Sequence, residues 1–301
     1  MAKDYFVNKV LATTVVGSYP VVKGSGIRSL FDPLHAAVET AVSDQIAAGI
    51  DIISDGQVRG DMINAFSGKI PGIKGQEVVM KVQPPAVPIT VADTKYARSR
   101  APRVKGIVTG PSTLAHGLHI STPAYRNKEE LASDLAAALI PEVRGLEAAG
   151  ITLLQIDEPI LSTGTADLAV AKDAVEAIAR SVHVPVCMHV CGNLGNVIDE
   201  LLKFSVQVFD FEFSKNPANL DLMSRRDLSG RMIGYGCVDS ATDEIEPVAE
   251  IRRRIERGIA VFGPKTMLID PDCGLRMRSR NAAFAKLRNM CEAAKEVRLA
   301  L

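Results

Sequence analysis

The side chains best able to do chemistry fall in three short segments. His189 and Cys191 lie in His-Val-Cys, Glu212 in Phe-Asp-Phe-Glu-Phe, and Cys273 in Asp-Pro-Asp-Cys-Gly. Two thiolates, an imidazole and a carboxylate suffice for a tetrahedral zinc ion. His189 and Cys191 are two apart on an extended segment, so both side chains leave the same face. Cys273 sits in a tight turn that can present a thiol. Glu212 stands between two phenylalanines, where a lone carboxylate is costly unless it is paired or ligating. A single His-x-Cys is commonly incidental, so the weight rests on the set. Cys237 also follows an apolar run and competes for a ligand role. Cys187 reads as a core thiol and Cys291 as a helix residue. Zinc held by two thiolates and a carboxylate is a weak Lewis acid, poorly suited to activating water. It suits holding a substrate thiol as the thiolate, which implies S-alkylation.

Each of these residues ends or follows a short apolar run. The strand expectations are Ala12–Val16, Ile50–Ser54, Lys105–Val108, Thr152–Ile156, Pro185–His189, Gln207–Phe211, Met232–Tyr235 and Met267–Ile269. Between them, Pro33–Ala48, Lys128–Ala149, Asp167–Ser181, Val248–Phe262 and Asn281–Val297 carry apolar residues at three-and-four spacing. Asn127 is placed to cap a helix, and Ala-Ala-Gly before Ile50 and again before Ile151 reads as a helix end feeding a strand. The alternation predicts an α/β fold, a (β/α)8 TIM barrel, as one domain over residues 1–301. A doubly wound open sheet is the competing topology. Gly75–Ala92 breaks the rhythm with Val78-Val79-Met80, Pro84-Pro85 and Val87–Val91, and reads as a β-hairpin inserted after the second strand unit. A long loop at Gly24–Pro33 follows the first strand.

The remaining polar clusters also fall at strand C-termini, the face on which barrel enzymes carry their sites. Asp157, after an apolar strand, is a candidate for a substrate ammonium, and Glu158 for orienting it or pairing with an arginine. Helix capping is the alternative. Gly17 and Ser18 offer backbone and hydroxyl donors to a carboxylate, or form an ordinary turn. Arg59 and Asp61 read as an ion pair at the barrel rim.

Composition narrows the setting. Lys plus Arg equals Asp plus Glu at 35 each, which argues against nucleic acid or an anionic membrane as partner. No apolar run nears the roughly 20 residues of a membrane helix, and the N-terminus has no signal-peptide core. Five irregularly spaced cysteines do not make a disulfide framework. These features together predict a cytoplasmic protein with reduced thiols.

Val-Gly-Ser-Tyr-Pro, Gln-Ile-Asp-Glu-Pro, His-Val-Cys and Asp-Pro-Asp-Cys-Gly-Leu, in this order, resemble the C-terminal catalytic barrel of cobalamin-independent methionine synthases. The resemblance covers nearly the whole chain. It implies zinc on His189, Cys191, Glu212 and Cys273, with homocysteine as substrate and methionine as product. It also implies that Ser18 meets the substrate carboxylate and Asp157 its amino group.

The departures from that family carry information. The folate-dependent enzymes have two barrels, and a Glu after the second strand binds the amine, where this chain has the neutral Gln57. Their third-strand loop carries a Trp under the folate, and this chain has no Trp. Their Asp-x-His after strand seven, an acid relay, becomes Asp239-Ser240-Ala241, which leaves Asp239 as the matching catalytic candidate. Methyltetrahydrofolate needs protonation before it releases its methyl group, whereas a methylcorrinoid leaves as Co(I) without a proton. The chain therefore resembles short, archaeal-type core enzymes, and a methylcobamide, free as methylcobalamin or on a corrinoid protein, is the expected donor in preference to methyltetrahydrofolate.

Three other readings compete. A corrinoid:coenzyme M methyltransferase would share the zinc-thiol strategy, but Asp157 and Ser18 suit an amino acid. A zinc-stabilised carrier without turnover would need a filled mouth. A zinc hydrolase would need a general base beside the metal.

Overall fold

The computed structural model describes residues 8–22, 24 and 32–301. The loop expected at Gly24–Pro33 lies outside the described residues except at its ends.

Ten short strands lie among the described residues: β1 (Ala12–Thr13), β2 (Ile73–Lys74), β3 (Glu77–Val78), β4 (Lys105–Thr109), β5 (His119–Ile120), β6 (Leu153–Asp157), β7 (Val186–Val190), β8 (Val208–Glu212), β9 (Met232–Val238) and β10 (Met267–Pro271). Seven form one sheet in the order β1-β10-β9-β8-β7-β6-β4, and every pairing is parallel. Segment 50–54 takes the remaining place. Thr14 bridges Ile52 and Ile53 bridges Val104, both parallel, so the eighth position closes the ring between β1 and β4. The fold is the expected (β/α) barrel.

Period-two alternation explains what fills the barrel and what surrounds it. Leu154, Ile156, Met188, Phe209, Phe211 and Ile233 point outward into the core shared with the helices. Inward, Ala12, Ile52, Leu153, Cys187, Val208, Met232 and Leu268 form a separate apolar plug at the bottom. Two residues further along β6, β8 and β10 the inward positions turn polar, at Gln155, Asp210 and Asp270, and Lys105 at the start of β4 joins them, all buried. Two further still are Asp157, Cys191 and Glu212, at the mouth.

The helices match the expected periodicity. Lys128–Ala148 starts at Asn127, whose side chain accepts from the Glu130 N–H (2.9 Å). Gly49 ends His35–Ala48 in the left-handed region (φ 89°), where glycine is free of the Cβ penalty.

The inserted hairpin is present but displaced. β2 and β3 pair antiparallel, with Gly75 in the turn, and β5 adds to β3 in parallel. Val87–Val91, expected as the second arm, is not a strand. Pro84, Pro85 and Pro88 withhold ladder donors, and the Ile89 and Thr90 N–H groups go to the buried Glu142 carboxylate (2.6 and 2.7 Å). Val91 opens a helix, Val91–Arg100, that the sequence pattern did not reveal. No helix among the described residues is long and apolar enough to cross a membrane.

Candidate metal centre and active site

The structure brings His189, Cys191 and Cys273 together at the barrel mouth, with one ligand atom from each within 4.8 Å of the others. β7 ends one residue after His189, so the strand fixes the imidazole and the following residue delivers the thiol. Cys273 arrives from the turn after β10. Asp272, beside it, accepts backbone N–H groups from Phe213, Ser214 and Lys215 (3.1, 2.9 and 2.7 Å). That carboxylate ties the Cys273 turn to the loop leaving Glu212.

Electrostatics within the cluster are strong. The neighbouring Cys191 thiol holds Cys273 well below the ordinary thiol range, and the same pairing pushes Cys191 above it. Burial alone would lower the His189 pKa. The Asp210 charge and the facing sulfurs outweigh it and hold the imidazole well above its usual value. His189 Nδ1 faces Asp210 Oδ1 at 3.3 Å, yet neither ring nitrogen reaches a well-formed hydrogen bond. A buried imidazole with an uncommitted nitrogen aimed at two sulfurs is what a cation would satisfy. Zinc bonds of about 2.0–2.3 Å set tetrahedral ligands roughly 3.5 Å apart, so the three donors fit zinc.

Glu212 stands beside the trio rather than within it. Its carboxylate accepts from Asn216 Nδ2, and burial raises its pKa, opposed by the nearby Gly192 amide. Asn219 fixes the backbone on both sides, donating to the Gly192 and Glu212 carbonyls (2.9 Å each). Cys187 and Cys237 are buried in the core, where burial pushes both thiols up. Cys237, the competing ligand candidate, does not join the cluster.

A cavity of about 400 Å³ opens from the cluster and is lined also by Ser18, Gln57 and Asp157. Asp157 Oδ1 accepts from Gln155 Nε2 (2.7 Å), and burial pushes its carboxyl up to about 6. Gln57 sits at φ 44°, a strained backbone for a non-glycine residue. It is held there by its N–H on Asp55 Oδ1 (2.8 Å) and its carbonyl on Arg276 Nη1 (3.0 Å). Gly17 makes room for it: a Cβ at Gly17 would lie 2.6 Å from Gln57 Oε1. Gly17 thus supports the wall rather than lining this cavity.

Several expectations need correction. Glu158 does not orient Asp157 or meet an arginine. Both its oxygens accept from the start of helix Pro111–Gly117, at Ser112 N (2.9 Å) and Thr113 N (2.8 Å). Arg59 does not pair with Asp61. It bridges Asp32 and Asp93, while Asp61 accepts from Ile63 N and Asn64 N. Asp239 does not line the cavity: its Oδ1 accepts from Ala241 N (2.7 Å) and its own N–H goes to Glu246. The sequence reading missed the polar layer beneath the site, Lys105, Gln155, Asp210 and Asp270. Part of its signal was there, since Gln155 and Asp210 precede Asp157 and Glu212 by two residues on the same strands. A second cavity of about 460 Å³, at the opposite end of the barrel, is lined by Glu176, Arg180 and His183. Glu176 there is already committed to Lys172, Arg180 and Ser205.

A parallel eight-position barrel with a cysteine–histidine cluster at the C-terminal mouth is the arrangement of a barrel enzyme with a candidate metal site. Comparison with known proteins narrows the class. Residues 11–296 match the family described as cobalamin-independent synthase, catalytic domain, and the chain belongs to that family. The methionine synthase of Methanothermobacter thermautotrophicus is 41% identical, over 94% of this chain and 99% of its own. That of Methanocaldococcus jannaschii is also 41% identical, over 96% and 100%. A B12-independent methionine synthase from a Shewanella species, solved with selenomethionine, superposes with a TM-score of 0.88 at 23% identity, over 97% of this chain and 100% of that one.

Proposed function

We propose that this chain makes methionine by transferring a methyl group to homocysteine thiolate held at a zinc ion. It is a methyltransferase of the methionine synthase family. The observation that carries the reading is the His189–Cys191–Cys273 cluster opening into a cavity that also presents Asp157 and Ser18. Zinc bound there supplies a positive centre that keeps a thiol ionised at neutral pH. His189, Cys191 and Cys273 hold it, with Glu212 as the exchangeable fourth ligand, since oxygen is the hardest donor of the set. Asp157 binds the substrate ammonium. Ser18, at the turn Gly17 opens, meets the carboxylate, and Gln57 contributes a neutral amide.

For the donor we favour a methylcobamide, free or carried by a corrinoid protein. The sulfur–carbon bond forms as the cobalt–carbon bond breaks, the electron pair staying on cobalt as Co(I), with no proton required. Asp239-Ser240-Ala241 offers no acid relay, and the chain has no Trp to stack a pterin. The second reading is methyltetrahydrofolate. It is favoured by the family description and by the B12-independent names of the Shewanella and Listeria monocytogenes neighbours. Zinc-loaded protein given homocysteine with methylcobalamin or methyltetrahydrofolate separately decides between them. Methionine from methylcobalamin alone is expected. Equal rates from folate overturn the donor assignment, and no methionine from either donor overturns the function.

A further inference from the structure

The polar layer inside the barrel contains a directed chain that ends at the substrate cavity. Lys105 Nζ donates to the Val15 carbonyl (2.7 Å) and to Gln155 Oε1 (2.6 Å). Gln155 Nε2 donates to the Val16 carbonyl (2.6 Å) and to Asp157 Oδ1 (2.7 Å). Lys105 is 1% exposed and Gln155 not at all. The order of donors is forced. An ammonium has only hydrogens to give, so the amide must turn its oxygen to Lys105 and its NH2 to Asp157. Without Lys105 the amide could flip and set oxygen against carboxylate.

We infer that Lys105 and Gln155 are positioning residues that lock one oxygen of Asp157 and leave the other to receive the amino group of the thiol substrate. The inference rests on the proposed role of Asp157. One Asp157 oxygen is held from beneath, and no other side chain among the described residues donates to it. The carboxylate enters the cavity preoriented, so the ammonium meets a fixed acceptor instead of ordering a mobile one. Lys105 also brings a positive charge into a barrel interior that holds Asp157, Asp210 and Asp270. A buried ammonium is retained at a cost that an apolar side chain would avoid, and positioning Asp157 is what it returns.

The test measures calorimetric Kd on zinc-loaded protein for homocysteine and for its desamino analogue, mercaptobutanoate, which keeps thiol and carboxylate but lacks the amine. Lys105→Met removes the donor that orients the amide. Gln155→Glu still accepts from Lys105 but, as a carboxylate, cannot donate to Asp157. Asp157→Asn is the reference. Each of the three should weaken homocysteine by about tenfold or more and mercaptobutanoate by less than about twofold, at unchanged zinc content. If Asp157→Asn is selective for the amine and Gln155→Glu weakens both thiols alike, or neither, the chain is overturned while Asp157 keeps its role. If Asp157→Asn weakens neither thiol, or both alike, the role of Asp157 falls and the inference with it. Gln155→Glu keeps the test decisive if Lys105→Met does not fold.

Discussion

Beneath the His189–Cys191–Cys273 cluster, single residues set its properties. Asp210 faces His189 Nδ1 at 3.3 Å, and a carboxylate in that place fixes the tautomer and raises the basicity of a ligating imidazole. Asp210→Asn should weaken zinc binding about tenfold to a hundredfold, read by competition with a chromophoric chelator. An unchanged zinc affinity would show that His189 needs no orienting partner. Asp55 lines the same cavity, and burial pushes its carboxyl from 3.8 to about 6. The folded state therefore holds a proton between those values that the unfolded chain has lost. Stability falls as pH rises through that window and stays lower above it. Asp55→Asn keeps the acceptor for the Gln57 N–H and has no charge to bury. It should match wild type near pH 4 and exceed it above pH 6 by up to about 3 kcal/mol. Denaturant midpoints across pH check this, and a gain independent of pH would sink it. Such a carboxylate at the cavity is stability given up where function is expected.

Among the elements, β9 shows how one strand's composition serves its neighbours. Gly234 lies opposite Asp210 in register. A Cβ there would fall 2.8 Å from Asp210 Cβ and Cγ and 2.9 Å from Asp270 Oδ2. The missing side chain is the space in which the two carboxyls sit beneath His189. Gly234→Ala should cost about 1–3 kcal/mol by overpacking and should also weaken zinc, because the displaced carboxyl is the one facing the imidazole. Stability lost with zinc affinity intact would mean that strand and site are uncoupled. Much of this was legible in the sequence. The β-branched runs located all eight barrel positions, and the strand-end residues named the cluster. What stayed hidden has physical reasons. A tripeptide such as Phe-Asp-Phe shows that Asp210 faces opposite to its neighbours, but only barrel closure turns that face onto His189. Val87–Val91 carries strand-forming residues, yet Glu142, more than fifty residues downstream, takes the Ile89 and Thr90 N–H groups and starts a helix instead. Arg59 has Asp61 as its nearest acid in sequence, while Asp32 and Asp93 reach it through the fold.

Across the molecule, the barrel closes through segment 50–54, which is joined by isolated bridges rather than a full ladder, and the mouth above that seam is held by Arg59. Its guanidinium bonds Asp32 through Nη1 and Nη2 (2.9 and 2.7 Å) and Asp93 through Nη2 (2.8 Å) and Nε. Asp32 precedes helix His35–Ala48, and Asp93 lies in the first turn of Val91–Arg100. One side chain thus joins the strand-one loop, the strand-two loop and the insert. The Arg59 hydrogen bonds hold the Asp32 carboxyl at about 2, so the Arg59–Asp32 pair stays ionised at neutral pH. Partly exposed pairs contribute about 0–1 kcal/mol each, which makes Arg59 a minor source of global stability. Its place matters more. Arg59 and Asp93 line the cavity together with His189, Cys191 and Cys273. Arg59→Met should therefore lower the melting temperature only slightly and leave zinc and homocysteine affinity unchanged. It should raise the KM for the methyl donor severalfold, because the donor must enter through the rim that Arg59 organises. Steady-state kinetics with each substrate varied in turn separate these effects. An equal loss of homocysteine affinity would place Arg59 at the thiol subsite, and an unchanged donor KM would place the donor's entry on the other side of the barrel mouth.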